Sequence, residues 1–325
     1  MATMRVIEHG DGGGPEVMHL GEAEIPVPGA GQILIKVTGA GVNGPDLKQR
    51  AGSYPPPPGA SPLLGLEVSG HVAAMGADVS GWSEGDTICA LTNGGGYAEY
   101  VAVDAGHCLP IPGGVELMDA AGLCETFFTV WSNTWHGHDV PRGKTLLVHG
   151  GGGGIGSTAV QLGRAMGLKV LTTAGSEASR DMATRMGADR VINYREEDFV
   201  EITREAGGAD IIIDMFGGPY IARNIKAANP DARLIHLAFD LGPKVELNFM
   251  PMMLKRLTLT GATLRSRPPE FKTAVATGLR EQVWPLFAQG QLQTVTHKVF
   301  DLADASDAHA LMESGGHAGK VLLRL

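Results

Sequence analysis

Gly150 to Gly154 are five glycines in a row, and Ile155 and Gly156 follow. Such a run carries no side chains to pack, so its use lies in turning tightly and letting other groups approach the backbone. What flanks it gives it meaning. The apolar stretch Thr145–His149 precedes it and reads as a buried strand; Ser157–Met166 follows and reads as a helix. Gly151, Gly153 and Gly156 satisfy G-x-G-x-x-G, with Gly154 and Ile155 between them. In so glycine-rich a segment almost any register fits that pattern. The strand–turn–helix context is what points to a dinucleotide cradle, in which the free N–H groups and dipole of the helix face a pyrophosphate. A plain flexible loop is the other reading.

Downstream, strand and helix candidates alternate. Strands are expected at Lys169–Thr173, Arg190–Asn193, Asp210–Asp214 and Arg233–Leu237. Helices are expected at Glu177–Met186, Glu196–Glu205 and Tyr220–Ala228. Alternation of this kind predicts a doubly wound parallel sheet, a Rossmann domain, over residues 121–265. Before it, Gln32–Val37, Glu67–Ala73, Asp86–Leu91 and Tyr97–Val103 are short runs bounded by Gly, Pro and Asp. They predict a β-rich, barrel-like antiparallel domain. Pro55–Pro58 is a stiff extended loop. Glu116–Trp135 and Glu270–Phe287 read as helices. A strand at Lys298–Leu302, a helix at Ala305–Glu313 and a last strand at Lys320–Leu325 complete the tail. The tail is expected to return to the first domain, giving one domain from residues 1–120 and 266–325. The whole chain is therefore expected to be α/β.

The second strand of the alternating part decides which dinucleotide fits. A site for NAD places Asp or Glu at the end of that strand, about 20 residues on, to hold the ribose hydroxyls. Here the strand ends Leu171-Thr172-Thr173-Ala174-Gly175-Ser176, with no acid. That favours NADPH. Ser176 can donate to its 2′-phosphate, Arg180 can supply charge, and Tyr194 can cover the adenine or bond the phosphate. Glu177 and Asp181 work against this, and Arg180 also reads as a solvated helix charge.

Composition excludes several classes. The formal net charge is −9, which argues against nucleic acid as a partner. No apolar run approaches the length of a membrane span, and the first residues lack a signal-peptide core, so a cytoplasmic protein is expected. Cys89, Cys108 and Cys124 are three in number with no C-x-x-C, so neither a disulfide framework nor a four-thiolate zinc site is available.

These motifs, with others, resemble the medium-chain dehydrogenase/reductase superfamily, and within it the zinc-independent NADPH:quinone oxidoreductases. The resemblance runs over essentially the whole chain. It is carried by Gly41-Val42-Asn43 with Asp46-Leu47, by Gln49-Arg50-Ala51-Gly52-Ser53-Tyr54 and by Gly65-Leu66-Glu67-Val68-Ser69-Gly70-His71-Val72. The glycine turn, Thr173-Ala174-Gly175-Ser176, Asn193-Tyr194-Arg195-Glu196-Glu197-Asp198-Phe199, Leu264-Arg265-Ser266-Arg267 and Gly319-Lys320-Val321 add to it. It implies a GroES-like catalytic domain, a Rossmann domain, NADPH and a homodimer. Zinc members of the superfamily place a Cys where Asn43 stands and a His where Leu66 stands, with Glu125 near the third ligand. An amide, a leucine and one carboxylate do not make a zinc site, so no metal is expected.

Without a Lewis acid, the chemistry that remains is hydride transfer to an acceptor already electrophilic, a quinone or an activated carbonyl. The resemblance places Asn43, Asp46, Tyr54 and Thr129 among the catalytic-site residues. It places Phe239 and Leu264 at the nicotinamide pocket and Lys320 among the cofactor residues. Each has a plainer reading. Asp46 reads more readily as the cap of the short helix after it, Tyr54 equally as a loop anchor, Thr129 as a helix hydroxyl bonded to its own turn, and Phe239 and Leu264 as core. Departures from the family are Arg180 in place of the usual Lys, and the choices at Gly44 and Cys124. Three functions stay open: a quinone reductase, a reductase of α,β-unsaturated carbonyls, and an NADPH-binding regulatory or structural protein with vestigial activity. Leu257–Thr263 is expected to be an edge strand through which two copies pair.

Overall fold

The computed structural model describes residues 2–325. They form two compact units. One comprises the residues as far as Thr129 together with Leu264–Leu325, the other Val130–Thr263.

The first unit holds β1 (Thr3–Glu8), β2 (His19–Glu24), β3 (Gln32–Val42), β4 (Glu67–Met75), β5 (Thr87–Leu91), β6 (Tyr100–Asp104) and β7 (Cys108–Pro110). The second holds β8 (Thr145–His149), β9 (Lys169–Thr173), β10 (Arg190–Ile192), β11 (Ala209–Asp214), β12 (Ala228–His236) and β13 (Thr258–Gly261). β14 (Thr296–Asp301) and β15 (Lys320–Arg324) return to the first.

In the first unit β1 and β2 make an antiparallel hairpin. The larger sheet runs β14-β15-β3-β4-β5-β7, with β6 on β3. Its spine is β3, eleven residues long and bent by register shifts at Leu34/Ile35 and Val37/Gly39. Such bulges bend and twist a strand, which lets β3 hold β4, β6 and β15 at once. Ile33, Ile35, Val37, Val68, Val72, Ile88, Val101, Val103, Val321 and Leu323 point inward and form the core.

The second unit is one parallel sheet in the order β10-β9-β8-β11-β12-β13. Helices Gly154–Ala165, Glu177–Arg185, Phe199–Glu205 and Tyr220–Ala227 make the crossovers. The apolar runs Leu146-Leu147-Val148 and Ile211-Ile212-Ile213 are fully or almost fully buried, as central parallel strands must be. The strand order reverses direction between β8 and β11, the place where open sheets of this kind bind ligands beyond their carboxyl ends.

Three expectations need correcting. The helix expected over Glu270–Phe287 is three pieces: Pro269–Gly278, a π-turn at Leu279–Val283 and Trp284–Ala288. Pro285 has no N–H to continue the ladder, and the backbone widens in the turn before it. The helix expected from Glu116 begins only at Cys124, after a 3-10 turn at Asp119–Gly122. The helix expected from Glu196 begins at Phe199, because the Asp198 side chain caps it by accepting from Val200 N–H at 2.7 Å. Among the described residues no helix is long and apolar enough to cross a membrane.

Candidate active site

In the second unit the glycine run is a tight turn between β8 and the helix Gly154–Ala165. Gly150 lies at φ +78°, in the left-handed region. A Cβ on Gly156 would sit 2.0 Å from Gly150 O, and one on Gly151 would sit 2.2 Å from Thr172 Oγ1. These two glycines close the turn. Gly153 differs: a Cβ there would meet only Gly150 O, at 3.7 Å, so its outer face is open. Gly153 precedes the helix, and the first intrahelical bond runs from Ser157 N–H to Gly153 O at 2.8 Å. The N–H groups of Gly154, Ile155 and Gly156 therefore belong to the first turn, where no intrahelical acceptor exists. That is the geometry of an anion cradle.

Beside it, Arg180 and Tyr194 converge on Gly175, and Ser176 follows in sequence. Ser176 caps the helix Glu177–Arg185, its Oγ accepting from Ser179 N–H at 3.2 Å. Arg180 Nη1 donates to Gly175 O at 3.1 Å. The Tyr194 ring lies so close over Gly175 that a Cβ there would sit 2.5 Å from its hydroxyl. A guanidinium and a half-exposed phenol thus flank Gly175 just after β9, next to the serine hydroxyl that caps the following helix. These residues fit a dinucleotide phosphate.

Three strands end in polar residues: His149 on β8, Asp214 on β11 and His236 on β12. His149 Nε2 donates to Asn224 Oδ1 at 2.8 Å, and Asn224 Nδ2 donates to Asp214 Oδ2 at 2.9 Å. Burial pushes the His149 imidazole below its usual pKa. Phe239 is exposed and stacks on His236.

The first unit has a buried polar centre of its own. Lys320, on β15, places Nζ 2.6 Å from Glu67 Oε1 and 2.6 Å from Asn43 Oδ1. Asn43 Nδ2 donates to the same Glu67 oxygen at 2.9 Å. Glu67 Oε2 accepts from Glu125 N–H at 2.9 Å, tying this carboxylate to the first turn of the helix Cys124–Thr134. Asn43, not Asp46, is the N-cap of the short helix Gly44–Arg50; Asp46 lies in its first turn and accepts from Asn43 N–H at 2.9 Å, closing a capping box, and from Gly65 N–H at 3.0 Å, which fixes the next loop. Burial pushes Asp46 up to about 7. Burial, with the charges of Glu67 and Asp46, pushes Glu125 up to about 8. Glu125 is the one acid of the three that keeps some exposure.

Arg265 donates from Nη1 to Gln49 Oε1 (2.7 Å) and from Nη2 to Asn93 O (2.7 Å), and lies 5.8 Å from the Tyr54 ring centre. Lys272 donates to Asn93 Oδ1 at 2.6 Å, and burial lowers it to about 8. Tyr54 is half-buried, and burial raises its phenol. Thr129 lies in the helix Cys124–Thr134, and Leu264 is buried.

This centre does not fit a metal. The Asn43 amide and the Glu67 carboxylate are committed to each other and to an ammonium, whose fixed positive charge repels a cation. Among the described residues no group of three or more His, Cys, Asp or Glu has the arrangement of a metal site.

Sequence reasoning assembled the glycine turn and the Ser176–Arg180–Tyr194 group. It placed Asn43, Asp46, Tyr54 and Lys320 as site residues without their partners. It missed Glu67 as the anion of the centre, Arg265 and Lys272 beside Tyr54, and the His149–Asn224–Asp214–His236 chain. The available signal was a polar residue closing an apolar strand, as in Ile211-Ile212-Ile213-Asp214, and a lysine opening Val321-Leu322-Leu323.

Comparison with known proteins agrees with this architecture. Residues 29–113 match the alcohol dehydrogenase GroES-like domain, and residues 154–279 match the zinc-binding dehydrogenase family. A quinone oxidoreductase of Lama guanicoe is 34% identical, over 99% of this chain and 98% of that one. A solved mycobacterial protein complexed with NADPH is 28% identical with a TM-score of 0.87, covering 99% of this chain and all of the other. A solved quinone oxidoreductase of Pseudomonas syringae is 25% identical, with a TM-score of 0.87 over 99% of this chain and 100% of its own. The chain is an oxidoreductase of the medium-chain dehydrogenase/reductase superfamily and belongs, within it, to the quinone oxidoreductase family.

Proposed function

We propose that the protein is an NADPH-dependent reductase that delivers hydride to a quinone, with hydrogen bonds in place of a metal. The observation that carries this is the convergence of Arg180 and Tyr194 on Gly175, with Ser176 next in sequence, beside the glycine turn and with no carboxylate closing β9. The NADPH in the mycobacterial neighbour and the name of the guanaco relative support it. When bound, the reduced nicotinamide supplies the hydride. The protein's own residues do the rest. Gly154, Ile155 and Gly156 hold the pyrophosphate by backbone N–H groups. Ser176 and Arg180 favour the 2′-phosphate. Lys320 and Glu67 keep the polar centre rigid, Glu125 holds a proton near neutral pH, and the Tyr54 phenol offers a donor. Such a centre hydrogen-bonds an acceptor oxygen without making an alkoxide, which suits an acceptor that is already electrophilic.

The test is binding followed by turnover. NADPH and NADH are titrated by cofactor fluorescence, and then a naphthoquinone, a benzoquinone and a simple enal are added. Selective NADPH binding with chelator-insensitive quinone turnover is expected. Preference for NADH overturns the role given to Ser176 and Arg180. Turnover of the enal alone replaces the quinone by an activated alkene, and tight binding with no turnover replaces the enzyme by a regulatory protein.

We also infer that two copies pair through the β13 edge. This strand terminates its sheet. Next to it in sequence, Phe249 and, on the helix Met250–Lys255 that it precedes, Met250, Met253 and Leu254 are all more than half exposed, and that helix buries no residue of its own. A free strand edge beside an apolar surface favours association.

A further inference from the structure

At the carboxyl end of β12 two polar atoms are buried with nothing to bond. His236 is only 6% exposed, and neither of its ring nitrogens has a hydrogen-bond partner among the described residues. Buried polar atoms are almost always paired, and an exception calls for a reason. Asp214 is an acceptor close by. Its Oδ2 lies 3.4 Å from His236 Nδ1, a gap that a small rotation of the ring closes.

Asp214 is itself held still. Its Oδ1 accepts from Phe216 N–H at 2.7 Å and Gly217 N–H at 3.1 Å, and its Oδ2 from Asn224 Nδ2 at 2.9 Å. Burial alone would raise this carboxyl. Contact with His236, the nearby His149 and the two backbone N–H groups outweigh burial and hold it below its usual value. With Asp214 as the acceptor on that side, the His236 tautomer that fits carries its proton on Nδ1 and leaves a lone pair on Nε2. The imidazole then presents an acceptor and seeks a donor. Phe239 covers one face of the ring, its centroid 5.6 Å away and nearly parallel. The site lies on the strand ends that continue from the glycine turn. His149 precedes the turn, and a Cβ on Gly150 would touch the Phe216 ring at 3.4 Å.

We propose that His236 Nε2 accepts a hydrogen bond from the carboxamide N–H of the nicotinamide, with Asp214 fixing the tautomer. This deepens, and rests on, the dinucleotide reading of the glycine turn. It makes His236 a residue that recognises the cofactor's nicotinamide half, separate from the group around Gly175 that recognises its adenine half.

The test is equilibrium binding alone. Wild type, His236→Phe and His236→Gln are titrated with NADPH, with its 3-acetylpyridine analogue, in which a methyl replaces the carboxamide NH2, and with 2′,5′-ADP, which lacks the nicotinamide half. Wild type is expected to prefer NADPH to the analogue by about tenfold, the worth of one hydrogen bond. The Phe variant loses that preference by binding NADPH more weakly, and its affinity for 2′,5′-ADP is unchanged. The Gln variant, which keeps an acceptor, retains part of the preference. Equal weakening of NADPH and the analogue, or no weakening of either, overturns the proposal. If the Phe variant no longer binds 2′,5′-ADP, its fold has failed and the wild-type comparison decides. Equal wild-type affinity for NADPH and the analogue then overturns the proposal. Wild type that binds neither NADPH nor 2′,5′-ADP overturns the dinucleotide reading, and this proposal falls with it. Binding of 2′,5′-ADP without preference for the carboxamide sinks this proposal alone.

Discussion

Lys320 Nζ lies 2.6 Å from Glu67 Oε1, with the lysine side chain 7% exposed and the glutamate wholly buried. An ion pair this deep contributes little net stability against an apolar pair of equal size, yet removing one partner strands the other charge. Lys320→Met is therefore expected to cost about 3–5 kcal/mol, read from the urea midpoint. Adding Glu67→Gln should recover a large part of that loss, because the stranded carboxylate is gone. A single substitution that costs less than about 1 kcal/mol, the range of surface pairs, would show that the two charges are not desolvated.

The carboxyls around this pair make stability depend on pH in an uncommon direction. Glu125 is raised from 4.5 to about 8, chiefly by burial and then by Glu67 and Asp46. Burial likewise raises Asp46 from 3.8 to about 7. Between the unfolded and folded values the native state keeps protons that the unfolded chain has released, so stability falls as pH rises. The contribution is complete below about pH 4 and is lost by about pH 8 for these two groups. Urea midpoints measured from pH 5 to pH 8 should fall steadily. Glu125→Gln, which keeps the shape and cannot ionise, should match wild type near pH 5, exceed it near pH 8 and flatten the slope. A variant with the wild-type slope would remove Glu125 as its source.

What the sequence makes legible follows from how far apart the interacting residues lie. The second unit reads easily because its strands are buried on both faces and each is a short apolar run closed by glycine or a polar residue. The glycine turn and the Ser176–Arg180 group are local, so their spacing along the chain is their spacing in space. The polar centre is the opposite case. Asn43 meets Glu67 across 24 positions and Lys320 across 277, through three strands that pair only in the fold. No periodicity records such a meeting. The hairpin of β1 and β2 is hidden for another reason: every residue of β2 is at least partly exposed, so no alternation of apolar and polar residues marks it. The break at Pro285 was legible, since a proline within an apolar helical pattern forbids a continuous ladder.

Two glycines of one turn should respond differently to the same methyl group. Gly156→Ala places a Cβ 2.0 Å from Gly150 O, so the turn must move. A loss of about 1–3 kcal/mol in stability is expected, as for other overpacked sites, together with a loss of dinucleotide binding. Gly153→Ala meets only Gly150 O at 3.7 Å and should leave the thermal midpoint within about a degree or two of wild type. Its methyl stands on the open face, where the pyrophosphate is expected. NADPH affinity should therefore drop at least about tenfold with the fold intact. Unchanged affinity in Gly153→Ala would mean that the anion lies elsewhere.

The β13 edge gives the last prediction. Met253 and Leu254 are each 65% exposed on a helix whose last residue, Lys255, is tied down: its Nζ donates to Ile225 O at 2.8 Å and Ala228 O at 2.7 Å. The helix is thus held against the end of the preceding crossover with its apolar side chains outward. Light scattering should give twice the chain mass at micromolar concentration. Met253→Glu with Leu254→Glu should shift the protein toward the single-chain mass, because each copy then brings two like charges to the same two-fold patch. The thermal midpoint of the separated chain at low concentration should change little, since both side chains are largely solvated before pairing. A wild-type protein that scatters as a single chain at every concentration tested would leave β13 an unpaired edge and overturn the pairing.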